Sequence, residues 1–159
     1  MTPLDMIRTM FEYNDALNRR LWDSIMTLSD EQFVQEVGYS RGSVRDQAIH
    51  LASAEGGWMR GLQGDANARQ YRLDPADHPT PAAGRAAWEK TAGELLAYVS
   101  GLSQIELEET PPGLPVPRWQ ALLHLANHGT DHRSQMLRIL ADFGAPTFEQ
   151  DLLFHVWRR

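Results

Sequence analysis

Six histidines stand in the 159-residue chain, and three of them, His124, His128 and His132, are spaced four apart. On an α-helix that spacing rises along one side, one turn at a time. Residues placed at about 100° intervals put His128 and His132 in the sector of Ala121, Leu125, Met136, Ile139, Leu140 and Phe143, the face that should meet the core. His124 falls about 40° further round, toward Asn127, Asp131, Gln135 and Arg138, and reads as a boundary residue. Two imidazoles one turn apart on a buried face suit a shared metal ion, because the turn brings their ring nitrogens to a common point. A third ligand must come from a facing helix. His50 is the leading candidate, since His78 falls in a long loop and His155 in the tail.

The surroundings of these residues bear on the same reading. On the side of His50 lie Ala54, Gly57 and Gly61, which carry almost no side chain. The pair Gly56-Gly57 inside a helix costs roughly 1 kcal/mol per glycine against alanine, which room for a ligand beside His50 would explain. A close crossing of another segment is the alternative. Asn14 and Asn18 lie in the apolar stripe of the first long segment, near Phe11, Leu21 and Ile25, and buried amides need partners. They either support the imidazole N–H groups, face a polar cavity, or bond a loop backbone. The candidate metal set is therefore His50, His128 and His132, with Asn14, Asn18 and Gly57 as candidate cofactor-binding positions. No catalytic acid or base is assigned beyond them. A single buried histidine is more often a satisfied core residue than a ligand. Two at one turn on an apolar face are expensive to bury without a metal.

Composition removes most other chemistries. The chain has no cysteine, which excludes a disulfide framework, thiolate zinc sites, Fe–S ligation and a cysteine nucleophile. Sulfur chemistry would have to bring its thiol on the substrate. The formal net charge is −6 without a Lys/Arg block, which argues against nucleic acid as a partner. The first residues lack a basic and then apolar leader pattern, and no apolar run approaches the roughly 18 residues that span a bilayer. A cytoplasmic protein with no membrane partner is expected. HExxH and ExxH are absent, so neither the zinc-protease nor the di-iron bundle signature is present, and no phosphate-loop or dinucleotide fingerprint occurs. Gly38-Tyr39-Ser40-Arg41-Gly42 matches GxSxG, but a nucleophile elbow needs a preceding parallel strand, and a loop is the simpler reading.

Helices must position these residues. The first is expected from about Pro3 to about Leu28, opened by Thr2 as cap, Pro3 and Asp5. Ser29 to Gln32 begins a short turn. A second helix should run from Ser43 to about Leu62, and the breaker-rich stretch from Gln63 to Pro81 is a long loop. Thr80-Pro81 caps a third helix carrying Trp88, Leu95, Leu96, Val99 and Leu102. Glu106, Glu108 and Glu109 read as a solvated turn before the prolines of 110–117. A fourth helix starts near Pro117 and stops at Gly144-Ala145-Pro146. The expectation is one all-α domain over 1–159, a four-helix bundle with long inter-helix connections, each long loop able to hold a crossover. The apolar tail 147–159 is expected to lie on the bundle.

Several short motifs then combine. Asn127-His128-Gly129-Thr130-Asp131-His132-Arg133-Ser134-Gln135 resembles the fourth-helix signature of the DinB/YfiT-like metalloenzymes, a histidine followed four residues later by His-Arg-x-Gln. His50-Leu51-Ala52-Ser53-Ala54-Glu55 is similar to the family's second-helix signature, and Tyr13-Asn14 with Asn18-Arg19-Arg20-Leu21 to its first. Ser134 stands where the family often has glycine. The resemblance spans most of the chain in order. It implies a four-helix bundle with one divalent metal, nickel or zinc, on His50, His128 and His132, with open positions for water or substrate. It also implies a transferase or isomerase that uses a low-molecular-weight thiol such as bacillithiol or mycothiol. A neutral three-histidine site with an open position suits a thiol S-transferase, because a ligated thiol loses its proton more readily. The rivals are a non-catalytic metal-binding stress-response protein and a metal-assisted hydrolase. The expected partner is a small-molecule substrate, and the resemblance adds a homodimer.

Overall fold

The computed structural model describes residues 1–157, and the expected tail's Arg158 and Arg159 lie outside the described residues. Every regular element among them is helical. Helix α1 spans Pro3–Ile25 and opens as its sequence dictates, with Thr2 Oγ1 accepting from the Asp5 N–H at 3.2 Å and the Asp5 carboxylate accepting from the Thr2 N–H at 2.8 Å. Helix α3 spans Val44–Leu62, capped by Ser43, and α4 spans Pro81–Gly101, capped by Thr80. Helix α6, Arg118–Asp142, is the longest at 25 residues.

Two short helices stand where turns were expected. Helix α2, Asp30–Val34, and helix α5, Gln104–Glu108, each begin with a reciprocal capping box, Ser29 with Gln32 and Ser103 with Glu106. Each buries one apolar side chain, Phe33 and Leu107. The acidic run at 106–109 is therefore partly helix instead of a turn, with Glu106, Glu108 and Glu109 exposed to solvent as expected and Leu107 buried beneath them. The tail carries α7, Leu152–Trp157. It meets α1 through the His155 and Tyr13 rings, 5.5 Å apart, and through the Tyr13 hydroxyl, which donates to the Gln150 carbonyl at 3.1 Å. Leu152, Leu153, Phe154, Val156 and Trp157 stay exposed.

The four long helices form a ring in which α1 and α3 each pack on both α4 and α6. The chain thus crosses the bundle from α1 to α3 and again from α4 to α6, through the connections that hold α2 and α5. The connection 63–80, as long as that from α1 to α3, joins neighbours instead. It folds back over α3 as two single 3-10 turns, Ala68–Gln70 and Pro75–Asp77. No helix among the described residues is long and apolar enough to cross a membrane.

Two apolar clusters fill the bundle. One gathers Leu21, Trp22, Phe33, Trp88 and Met136, and the other Ile7, Phe11, Leu62, Val99 and Leu122. Between them, at mid-length of three helices, lie the buried polar residues Asn14, Asn18, Glu55, His132 and Arg133. The site is built in this polar layer. Phe33 is fully buried against Trp22, with ring centroids 6.5 Å apart, so α2 is part of the core and not an ornament on it. Phe33→Ala should destabilise the fold by about 3–5 kcal/mol, read from urea unfolding.

Candidate metal centre

Three imidazoles converge at the polar layer. His50 from α3 and His128 and His132 from α6 each offer a nitrogen, and these three atoms lie within 4.8 Å of one another. Ring centroids are 4.2 Å apart for His128 and His132, 4.8 Å for His50 and His132, and 5.4 Å for His50 and His128. His128 Nε2 and His132 Nε2 approach to 2.9 Å. Nitrogens around a tetrahedral divalent ion stand roughly 3.3 Å apart at metal–nitrogen distances of about 2 Å, so small side-chain shifts close the set.

The donor set fits a metal better than it fits an apolar core. Burial, with the charge of Arg41 and neighbouring rings, holds His50 at a pKa of about 4. Burial and His132 hold His128 at about 4, and burial, then Arg41, lowers His132 as well. All three are neutral at pH 7, with lone pairs free for coordination. Nδ1 of His128 is buried without a hydrogen-bond partner among the described residues. Neutral imidazoles aimed at one another in this way gain most when an electropositive centre lies among them.

Gln47, which sequence reasoning missed, holds His132 from behind. Its amide lies 2.8 Å from His132 Nδ1 and 2.7 Å from Gln135 Oε1, and it has no exposed surface. A ligating imidazole keeps its other nitrogen bonded to a neighbour, and Gln47 takes that place at Nδ1 of His132. The available signal was position, since Gln47 precedes His50 by three and shares its face. Ser40, in the GxSxG segment, takes the left-handed φ of 55° and bonds both Gln47 and Gln135. No strand precedes it. The serine braces the loop and does not form a nucleophile elbow.

The remaining candidates are placed as follows. His124 is exposed and stands beside Trp58, with centroids 5.1 Å apart. Asn14 and Asn18 accept hydrogen bonds from Arg133 Nη1, Asn18 at 3.0 Å, and the Asn18 amide donates to Glu55 at 3.3 Å. Their partners are thus a guanidinium and a carboxyl group. Gly57 lines a cavity of about 930 Å³ together with His50, Ala54 and Gly61. Gly56 has a different task. A Cβ there would stand 2.5 Å from the Tyr71 ring, so this glycine admits the loop crossing over α3.

The DinB family model matches residues 2–158. The chain belongs to the DinB family. No curated protein matches it. The family assignment and the converging histidines agree with a metal-dependent protein whose ligands are drawn from α3 and α6.

Two outcomes test this geometry. Gln47→Leu should weaken zinc binding about 10- to 100-fold with all three histidines intact, measured by competition with a chromophoric chelator. Glu55 supplies the second, because burial pushes its carboxyl up to about 7 from 4.5 against the pull of Arg133. Between those values the native state holds a proton that the unfolded chain has lost, so this group's contribution to stability falls as pH rises. Glu55→Gln should therefore gain on wild type by a few kcal/mol between pH 4.5 and pH 8 in urea unfolding.

Proposed function

We propose that this DinB family protein is a divalent-metal-dependent enzyme, a thiol S-transferase that activates a low-molecular-weight thiol at His50, His128 and His132. The observation that carries the reading is the convergence of three imidazoles, one of which, His50, lines a large cavity. A purely structural metal site closes its coordination with protein ligands, whereas a catalytic one keeps a face open. A divalent ion on three neutral imidazoles lowers the pKa of a thiol or water that it ligates.

The chain's own residues do the rest. Gln47, itself bonded to Gln135, fixes the orientation of His132, and the cavity admits a thiol and an electrophile together. The thiol must come from outside, because the sequence contains no cysteine. In the transfer the thiol gives up its proton, sulfur forms a bond to the electrophilic carbon, and the leaving group departs with its electron pair. Zinc and nickel both suit imidazole ligands.

Elemental analysis of protein purified without a histidine tag, wild type against His132→Ala, tests the site. About one equivalent of a divalent metal is expected in wild type and loss of most of it in the variant. Loaded protein is then assayed with a panel of thiols and alkylating electrophiles beside a panel of esters. Turnover of esters without thiol would replace the transferase by a hydrolase, and metal without any turnover would leave a binding protein.

A further inference from the structure

The chain carries one lysine and fourteen arginines and is acidic overall. Most of its arginines are committed. Arg19, Arg45, Arg60, Arg85, Arg118 and Arg138 pair with carboxylates. Arg133 is buried among amides, Arg8 bonds backbone carbonyls, and Arg20 lies over the Phe148 ring. Arg41, Arg69 and Arg72 have no carboxylate partner among the described residues, and Arg72 bonds only the carbonyl of Tyr71, at 2.6 Å. These three line one cavity, the same one that His50 lines.

Their convergence is built by separate parts of the fold. Arg41 comes from the loop before α3, which is held by the Ser40 hydroxyl and by two backbone bonds, Val37 N–H to the Gly42 carbonyl at 2.7 Å and Gly42 N–H to the Tyr39 carbonyl at 3.0 Å. Arg69 and Arg72 come from the connection folded over α3. That segment is fixed by the Tyr71 ring on Gly56 and by the Leu73 N–H, which donates to Ser53 Oγ at 3.1 Å. The one carboxylate in the lining, Asp46, is already paired with Arg45 at 2.9 Å. The lining also has an apolar part, with Trp58, Leu114 and Pro115. Three unpaired cations around a concave surface of an acidic protein hold a local positive field, and guanidinium forks match planar carboxylates and phosphates.

We propose that this cavity binds a small anionic substrate, its carboxylate or phosphate groups held by Arg41, Arg69 and Arg72 and its apolar body against Trp58 and Leu114. The site lies beside His50, so the inference deepens the metal-enzyme reading and rests on it only for the claim that the ligand is a substrate. The volume of about 930 Å³ is at the upper end for small-molecule pockets, enough for an acidic molecule and a second reactant.

Isophthalate, phenylphosphonate and the neutral control isophthalamide are titrated calorimetrically into zinc-loaded and chelator-treated protein. The proteins are wild type, each single variant Arg41→Gln, Arg69→Gln and Arg72→Gln, and the triple variant. At least one dianion should bind ten times or more tighter than the diamide. Each single substitution should weaken it severalfold, and the triple variant should bring it to the level of the diamide at an unchanged melting temperature. Preference for isophthalate or for phenylphosphonate names the source of the oxyanion. Equal binding of dianions and diamide, binding that ignores the arginines, or binding that appears only with zinc and survives the triple substitution overturns the proposal. Arginine-dependent binding in a protein that takes up no zinc would sustain this site and defeat the metal reading alone. Histidine-dependent zinc uptake without arginine-dependent anion binding would do the reverse.

Discussion

A guanidinium with no exposed surface, placed at the centre of a helical bundle, is the constraint around which the structure is arranged. Arg133 has no carboxylate within ion-pair distance among the described residues. It is satisfied by neutral acceptors, Asn14, Asn18 at 3.0 Å, Gln150 at 2.8 Å and Thr130 at 3.1 Å. Leaving such a charge unpaired in the interior would cost several kcal/mol, so the rotation of α6 about its axis and the position of α1 are set together. Burial draws the Arg133 pKa down to about 10, which still leaves it charged at pH 7. Gly129, one turn earlier, must stay bare, since a Cβ there would stand 2.7 Å from the Asn14 side-chain oxygen. With that edge of α6 clamped, His128 and His132 can only face α3. The network around Arg133 directs the imidazoles without touching them.

This arrangement explains why the apolar interior is split in two. Leu, Trp and Phe side chains fill both ends of the bundle, and the polar groups occupy a band between. A polar band is costly in a core unless its members bond one another, and this one is bonded through Arg133 while Glu55 Oε2 and His128 Nδ1 find no partner among the described residues. Here Asn18 links the Arg133 guanidinium to the Glu55 carboxyl group, whose raised pKa reflects the same burial. The two apolar ends supply the stability against which this central layer is held.

How much of this was legible in the sequence follows from how local each feature is. The HxxxH pair and the burial of His132 follow from helical periodicity alone, as does the cap at Thr2. His50 was reachable by elimination and by its small neighbours. The ring order of the helices was not legible, because the length of a connection does not say whether it joins neighbours or crosses the bundle. The loop 63–80 proved to be a wall of the cavity. Arg133 was legible in principle, since it falls between Gly129 and Met136 on the apolar stripe, but a charged residue there is easily assigned to the surface. Gly56 and Gly57 show the limit of inference from residue type. One makes way for a tyrosine ring and the other lines the cavity, and both looked alike until the loop was placed over them.

The arginines and the histidines act on each other through charge. Arg41 lowers the proton affinity of His50 and His132, and a positive charge that opposes a proton opposes any other cation at the same nitrogens. On the proposed reading, an oxyanion seated on Arg41 removes that opposition. Metal at the imidazoles and anion at the arginines then favour each other, and linkage requires the effect to be equal in both directions. Such reciprocity makes the fully loaded cavity the preferred state over either partial one. That suits a reaction between two small molecules, where holding both in place at once removes much of the entropic part of the barrier.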